Sequence, residues 1–426
     1  MQYSTFAAID IGSYDVILEI FEISKKQGIR SVDKICHRME LGKDTYTLGK
    51  IRPEMEEELC RVLADFVRIM EGYRVDDYRA TASSAISEAS NSLYVLGKIH
   101  QLTGLSVTVL SNSEQRFLSY KALAAMEDNF NKIIEKGTAI LDLDGGSFQI
   151  SLFDKDALVT TQNIRMGSLR IRERLAGIQS ETEHYEEMVE ELIWNEVSSF
   201  KKMYLKDRKI ENIMLIGDVF TDSVYQNIEE KTTKIISREN FNTWYEKIIR
   251  QSPMELAVKL GIPLENASLM YPSAVIYKCL IDMMGAEHIW IPGVHMTRGI
   301  AYEYAEQMKL LKGGHNFEND ILMAAKNIGK RYAVNRPHVQ NLEMTALAMF
   351  DATKKMHGMK ERERLLLQMA VMLHDVGKYI SFNNVADSSY NIIMSNEIIG
   401  LSHIEREMVA LIARYNTVTL PSYDEL

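Results

Sequence analysis

Two aspartates close strand-like runs and are each followed by a turn of small residues: Ala7-Ala8-Ile9-Asp10-Ile11-Gly12-Ser13 and Ala139-Ile140-Leu141-Asp142-Leu143-Asp144-Gly145-Gly146-Ser147. Glycine has no Cβ, so the backbone N–H groups of such turns can approach an anion closely, and the hydroxyls of Ser13 and Ser147 add donors. The carboxylates of Asp10 and Asp142 suit Mg²⁺ held through water, the usual way this ion enters a phosphate site. Two such turns facing one another clamp a phosphate. One Asp-x-Gly-Ser hairpin is ordinarily no more than a hairpin. Its return about 130 residues later, in matching strand context, is what points to chemistry.

These residues need elements to hold them. Residues 6–9 and 16–23 form apolar, β-branched runs on either side of the first turn, which predicts a hairpin with a polar tip. Residues 148–153 repeat that arrangement after the second turn, so the two hairpins look like duplicated units. Pro53 fits the first position of a helix in which Met55, Leu59, Val62, Leu63 and Phe66 recur at intervals of three and four. Short apolar runs at 107–110 and 139–143 alternate with helical patterns at 90–101 and 113–126, which is the signature of α/β structure. A further strand is expected at 213–216, between long helices. The chain divides as a first α/β lobe over 1–130, a second over 131–311, a linker at Lys312-Gly313-Gly314-His315-Asn316, and an all-helical domain over 316–426. The helical part carries one apolar stripe of Leu365, Leu366, Met369, Ala370 and Leu373.

The composition agrees with that plan. The 426 residues are 46% hydrophobic and 25% charged, as in ordinary globular proteins, and the 24 methionines fall beside Leu and Val as core filling. No apolar stretch reaches the ~18 residues of a bilayer span, and no basic segment precedes the first apolar run. The three cysteines, Cys36, Cys60 and Cys279, suit neither a disulfide framework nor a zinc site, which fits a reducing cytoplasm. A net charge of −10 argues against nucleic acid or a membrane surface as partner. An anionic ligand must therefore be held by local amides, a metal ion or a few basic side chains. Two basic stretches, Lys201, Lys202, Lys206, Arg208 and Lys209, and Lys326, Lys330, Arg331 and Arg336, read as solvated helix faces or as a track for a polyanion.

Five motifs, in order and spacing, resemble the exopolyphosphatase/guanosine pentaphosphate phosphohydrolase family: residues 7–13, Ala82-Ser83-Ser84-Ala85-Ile86-Ser87-Glu88-Ala89-Ser90-Asn91, Val109-Leu110-Ser111-Asn112-Ser113-Glu114, residues 142–147, and Met166-Gly167-Ser168-Leu169-Arg170. The resemblance implies two ribonuclease-H-like lobes of the actin and sugar-kinase superfamily with a phosphate site in the cleft between them, and a C-terminal helical domain related to HD phosphohydrolases. It implies Mg²⁺ as cofactor, a homodimer, and release of terminal phosphate from inorganic polyphosphate or guanosine pentaphosphate. By the family pattern Glu114 is the catalytic carboxylate that orients or deprotonates water. Asp142 matches the metal-associated aspartate. Gly145, Gly146 and Ser147 match the phosphate loop, Gly12 and Ser13 the loop of the first lobe, and Ser83 and Gln149 fall on neighbouring phosphate-site positions. Without the resemblance, Glu114 reads as a helix N-terminal residue favouring the helix dipole.

Several positions depart from the family pattern. Tyr14 replaces an asparagine, Ser87 a phosphate-binding arginine, Asp144 the first glycine of a triple-glycine loop, and Gln149 a glutamate. A lost guanidinium removes a fork of donors matched to phosphate oxygens, and like charges ~4 Å apart at an effective dielectric near 20 repel by about 4 kcal/mol. These departures favour a second reading, a regulatory protein that senses a nucleotide or phosphate in a cleft that has lost its chemistry. The helical domain keeps His338, His374 and Asp375 of an HD-type metal set but has Asn416 where a histidine is expected, so His374 and Asp375 are expected to hold helix ends together.

Overall fold

A computed structural model describes residues 4–126, 130–176, 185–227, 234–311, 315–416, 418–420 and 422. Of the expected linker, residues 312–314 lie outside the described residues. Two compact units make up the fold, residues 1–156 with 162–315, and residues 157–161 with 316–426.

Two sheets organise residues 4–290. The first contains β1 (Ser4–Ile11), β2 (Asp15–Ser24), β3 (Gly28–Arg38), β4 (Asp77–Ala82) and β5 (Val107–Val109) in the order β3-β2-β1-β4-β5. Strands β1 and β2 pair antiparallel from Ser4 opposite Ile23 to Ile11 opposite Val16, whereas β1 and β4 run parallel. The second contains β6 (Thr138–Leu143), β7 (Phe148–Asp154), β8 (Ala157–Ile164), β9 (Asn212–Ile216), β10 (Ile235–Ser237) and β11 (His288–Trp290) in the order β10-β11-β9-β6-β7-β8. Here β6 pairs antiparallel with β7 and parallel with β9. Apart from β10, this repeats the order of the first sheet, and the directions of the β6–β7, β6–β9 and β9–β11 pairs match those of β1–β2, β1–β4 and β4–β5. The duplication expected from the two hairpins is therefore present, and each sheet has the ribonuclease-H-like arrangement of an actin-like lobe.

Alternation along β1 shows how the first sheet is covered. Ala7, Ile9 and Ile11 face one way into a core with Leu59, Leu63 and Phe66 of helix Pro53–Tyr73, while Phe6 and Ala8 face the other, against Leu118, Ile300 and Tyr304. Phe6 stacks on Tyr304 with ring centroids 4.1 Å apart. Full burial of each large apolar side chain contributes roughly 1.5–3 kcal/mol, and burial on both faces holds β1, and with it Asp10, in a single register. The three-residue strands β10 and β11 and the outer strands β3 and β8 were not legible as strands in the sequence. The helix that precedes the linker spans Met296–Gln307.

The second unit is helical, with helices at Phe317–Arg331, Arg336–Ala352, Glu361–Leu373, Val385–Ser395 and His403–Arg414. The Asn316 side chain accepts from the Asn319 N–H, and Ser402 and Glu405 form a reciprocal capping box, so the helix starts are chemically marked. Leu365, Leu366, Met369, Ala370 and Leu373 are all buried, as their spacing requires. Lys326, Lys330, Arg331 and Arg336 are exposed. No described helix is long and apolar enough to cross a membrane.

Candidate functional site

Asp10 is the penultimate residue of β1 and Asp142 the penultimate residue of β6, equivalent places in the two sheets. The turns that follow them meet: a Cβ on Gly145 would lie 3.4 Å from the Cβ of Ser13. Beside this contact opens a cleft of about 250 Å³ lined by six aspartates, Asp10, Asp15, Asp142, Asp144, Asp218 and Asp222. Gly12, Ser13 and Gly145 also line it.

A third strand end completes the site. After β9 the chain turns at Gly217 with φ of +106°, and a Cβ there would lie 2.3 Å from the Leu143 carbonyl oxygen and 2.8 Å from Asp142 Oδ1. Only glycine accommodates both the angle and the approach. Gly217→Ala is expected to destabilise the first unit by about 2 kcal/mol or more, read as a lowered midpoint in thermal unfolding. An unchanged midpoint would show that the turn relaxes freely.

Burial and mutual repulsion keep these carboxyls protonated to unusually high pH. Asp10 is raised well above the ordinary carboxylate range, first by loss of solvent and then by the charges of Asp15, Asp144 and Asp142. Burial likewise raises Asp142 to about 6 against the opposing pull of Arg116, Asp218 to about 7, and Asp222 to about 6. His295 Nε2 lies 3.6 Å from Asp222 Oδ1, and burial together with Lys34 depresses this histidine to about 4, so at neutral pH its ring is uncharged. Lys34 is then the lone positive charge among the described lining residues. Asp10 Oδ1 is buried with no hydrogen-bond partner. Six carboxylates, an orphaned buried carboxylate oxygen and an excess of negative charge fit a hard divalent cation such as Mg²⁺, with Asp10 and Asp142 as holders.

The turn after β6 is partly filled by its own side chain. Asp144 accepts from the Gly145 N–H, and the Gly146 N–H also bonds to its carboxylate. This corrects the expectation that these amides stand free for a phosphate: the carboxylate that replaces the family glycine occupies them. Gly146 is in addition covered, since a Cβ there would lie 2.1 Å from the Tyr46 hydroxyl. That hydroxyl hydrogen-bonds Ser13 Oγ at 2.7 Å and Ser84 Oγ at 2.9 Å. The Arg170 guanidinium stacks 3.8 Å from the Tyr46 ring centroid, bonds the Gly146 carbonyl at 2.9 Å and pairs with Glu88 at 3.0 Å. Tyr14 does not close the cleft; its hydroxyl donates to Asn266 Oδ1 at 2.5 Å and its ring packs on Leu169 and Leu269. Phe148 is wholly buried in β7.

Other expected residues fall elsewhere. Ser83 is buried, with its hydroxyl 3.4 Å from the Ile11 carbonyl, and is not among the described cleft residues. Ser147 accepts from Arg116 Nη2 at 3.3 Å, and Gln149, opposite Asp142 in the β6–β7 register, lines a small side cavity with Arg116. Ser87 returns its hydroxyl to the Ser84 carbonyl. Glu114 and Asp142 are not brought together: the Glu114 carboxylate accepts from the Ser111 N–H at 2.9 Å and lines a separate depression with Arg79 and Thr81. Gln115 and Ser119 of the same helix line the cleft instead. Asp15, Lys34, Asp218, Asp222 and His295 carry no motif of their own, and only the fold gathers them.

In the helical unit, His338, His374 and Asp375 do converge, with ligand atoms within 4.8 Å of one another. The Asn335 cap on the His338 N–H fixes the start of its helix. Each of the other two already has a protein partner: His374 Nδ1 bonds the Val371 carbonyl at 2.7 Å, and Asp375 pairs with Lys378 at 2.6 Å.

Comparison with known proteins bears on the whole chain. A model described as the Ppx/GppA phosphatase family matches residues 20–308, and one described as Ppx/GppA phosphatase domain III matches residues 322–424. The guanosine-5'-triphosphate,3'-diphosphate pyrophosphatase of Vibrio atlanticus is 18% identical over 427 residues, covering 99% of this chain and 82% of that protein. A bifunctional 3-dehydroquinate synthase/phosphatase of Fusobacterium nucleatum is 21% identical over 310 residues, 66% of this chain; the match spans 44% of that longer protein. Among solved structures, an exopolyphosphatase from Cytophaga hutchinsonii superposes with a TM-score of 0.63 at 17% identity, covering 71% of this chain and 98% of that one. A Ppx/GppA family member from Aquifex aeolicus gives 0.59 at 17% identity, covering 72% and 99%. At these identities the structures show the shared fold.

Proposed function

Because the chain belongs to the Ppx/GppA phosphatase family, we propose that its acidic cleft hydrolyses the terminal phosphoanhydride bond of inorganic polyphosphate or guanosine pentaphosphate, taking up that anion together with Mg²⁺. The observation that carries this reading is the buried, unpartnered Asp10 Oδ1 facing a cleft of six aspartates at the paired strand ends. A bare polyanion would be repelled there, whereas a cation held by Asp10 and Asp142 turns the same charges into an attractive site. When bound, Mg²⁺ would neutralise charge on the terminal phosphate and polarise its oxygens. The chain's own part is to hold the cation's ligands at the strand ends, in a cleft whose first turn, Gly12 and Ser13, is fixed by the Gly12 N–H on the Asp15 carbonyl and by the Ser13 hydroxyl on Tyr46 and Ser84. Assembly as a homodimer belongs to the same reading and is checked by light scattering.

The test is phosphate release from polyphosphate and from guanosine pentaphosphate, each with Mg²⁺ and with chelator. Release from either substrate that stops with chelator is the expected result. Release that ignores the chelator would remove the metal from the reaction.

The occupied amides of Gly145 and Gly146 favour a second reading, a phosphate or nucleotide sensor built on the same cleft. Its mark would be saturable Mg²⁺-dependent binding of either anion with no phosphate released.

A further inference from the structure

Most of the groups around the cleft that could hold an anion are already committed. The amides of Gly145 and Gly146 are taken by Asp144, and the Ser13 hydroxyl by Tyr46 and Ser84. Arg116 is buried on Ser147 and Asn163, Arg170 pairs with Glu88, and Arg172 pairs with Glu40 and Glu173. Lys34 differs. It stands two residues from Cys36 on one face of β3, and both line the cleft together with Asp15 and Ile17 of β2. Glu19 lies directly opposite Lys34 in the β2–β3 register, but its carboxylate accepts from Ser31 Oγ at 2.6 Å and from Thr297 Oγ1. Among the described residues no carboxylate forms an ion pair with the Lys34 ammonium, and the residue is exposed. Its charge acts on Asp10 and Asp15 of the first sheet and on Asp222 and His295 of the second lobe, so the ammonium sits among groups that both lobes contribute.

We propose that Lys34 is the side chain that holds the anion in this cleft, its ammonium donating to phosphoryl oxygens while Asp10 and Asp142 hold the cation. The inference rests on the reading above, in which the cleft takes a phosphoanhydride together with Mg²⁺. An ammonium is a compact charge with three donors on a flexible stem, so it can follow phosphate oxygens without a fixed fork geometry. It also repels a cation. Lys34 therefore acts with opposite sign on the two guests of the cleft, attracting the anion and opposing Mg²⁺ that binds alone. Without an anion the same charge offsets part of the repulsion among the aspartates.

The experiment measures, by titration calorimetry on the full chain, the binding of Mg²⁺ alone and of methylene-bridged tripolyphosphate in saturating Mg²⁺, for the parent, Lys34→Met and Lys34→Arg, with thermal unfolding of each. The bridged probe cannot be hydrolysed, so binding is read apart from turnover. Lys34→Met is expected to weaken the anion by about 10- to 100-fold, the worth of a hydrogen bond to a charged group, and to bind Mg²⁺ alone more tightly than the parent. Lys34→Arg, which keeps the charge, should recover most of the anion affinity. A lysine with only a structural role would not move the two affinities in opposite directions. Parent-like anion affinity in Lys34→Met, or a parallel loss of anion and Mg²⁺ affinity, would overturn the proposal while phosphate release by the parent left the hydrolase reading standing. Weakened anion binding in Lys34→Met with no release by the parent on polyphosphate or guanosine pentaphosphate would overturn the hydrolase reading and uphold Lys34. A parent that neither binds the probe nor releases phosphate would overturn both.

Discussion

Asp10→Asn is expected to lower Mg²⁺-dependent phosphate release by about 100- to 1000-fold, the range seen when a preorganised electrostatic group is removed from a reaction centre, and at the same time to raise the stability of the first unit. The two effects have one cause. Asp10 is half-buried at the end of a strand packed on both faces, with its Oδ1 buried and unpartnered and with Asp15, Asp144 and Asp142 adding like charge. An arrangement that costs the fold free energy, with three like charges opposed by Lys34, is what a cation site looks like without its cation. Asparagine is nearly isosteric, removes the charge, and so relieves the fold while discarding the ligand. The checks are kcat with saturating Mg²⁺ and thermal unfolding at about pH 8 in chelator. A variant that keeps the parent's rate and Mg²⁺ requirement would remove Asp10 from the site. A variant that loses both activity and stability would show that the carboxylate serves the fold instead.

What the sequence could disclose follows from the range of the forces involved. The paired hairpins were legible because apolar alternation and Asp-Gly turns are local signals, and Asp10 and Asp142 took equivalent strand ends from that pattern alone. Strands β10 and β11, of three residues each, are too short to carry a period and exist through pairing with strands distant in sequence. The departure at Asp144 was legible as an added charge but not as a cap on its own turn, because that depends on where the Gly145 and Gly146 amides point. For Glu114 the motif fixes position along the chain and leaves open which helical stripe enters the cleft; the Ser111 cap at the helix start sets that rotation. Asp218 sits in the turn Gly217-Asp218-Val219-Phe220, which does not repeat the glycine-rich pattern of the other two, and it joins the cleft because β9 lies parallel beside β6. Tyr46 gave no signal at all, since its role is defined by contact with Gly146, a hundred residues away in the chain.

Removing divalent cations is expected to make the first unit progressively less stable as pH rises from about 5 to 8, and adding Mg²⁺ to reverse that trend. The sign follows from the direction of the shifts. Burial raises Asp142 to about 6, Asp222 to about 6 and Asp218 to about 7, and it raises Asp10 and Asp144 as well. Unfolded aspartates titrate near 3.9. Between these limits the folded chain binds more protons than the unfolded chain, so each group contributes stability that is complete below about pH 4 and is lost as pH climbs through its folded value. The loss is therefore concentrated between about pH 5 and 7, opposite to the behaviour of carboxylates held in salt bridges. A cation that takes the deprotonated cluster stabilises by roughly 2.7 kcal/mol at a hundred times its dissociation constant, and it does so more at pH 8 than at pH 5, where protons compete for the same oxygens. Thermal unfolding across this range, with Mg²⁺ and with chelator, should give midpoints that coincide at the acid end and separate toward the alkaline end. Midpoints that rise with pH in chelator, or a Mg²⁺ effect that is the same at every pH, would mean that the cleft carboxylates are not the groups that bind the metal.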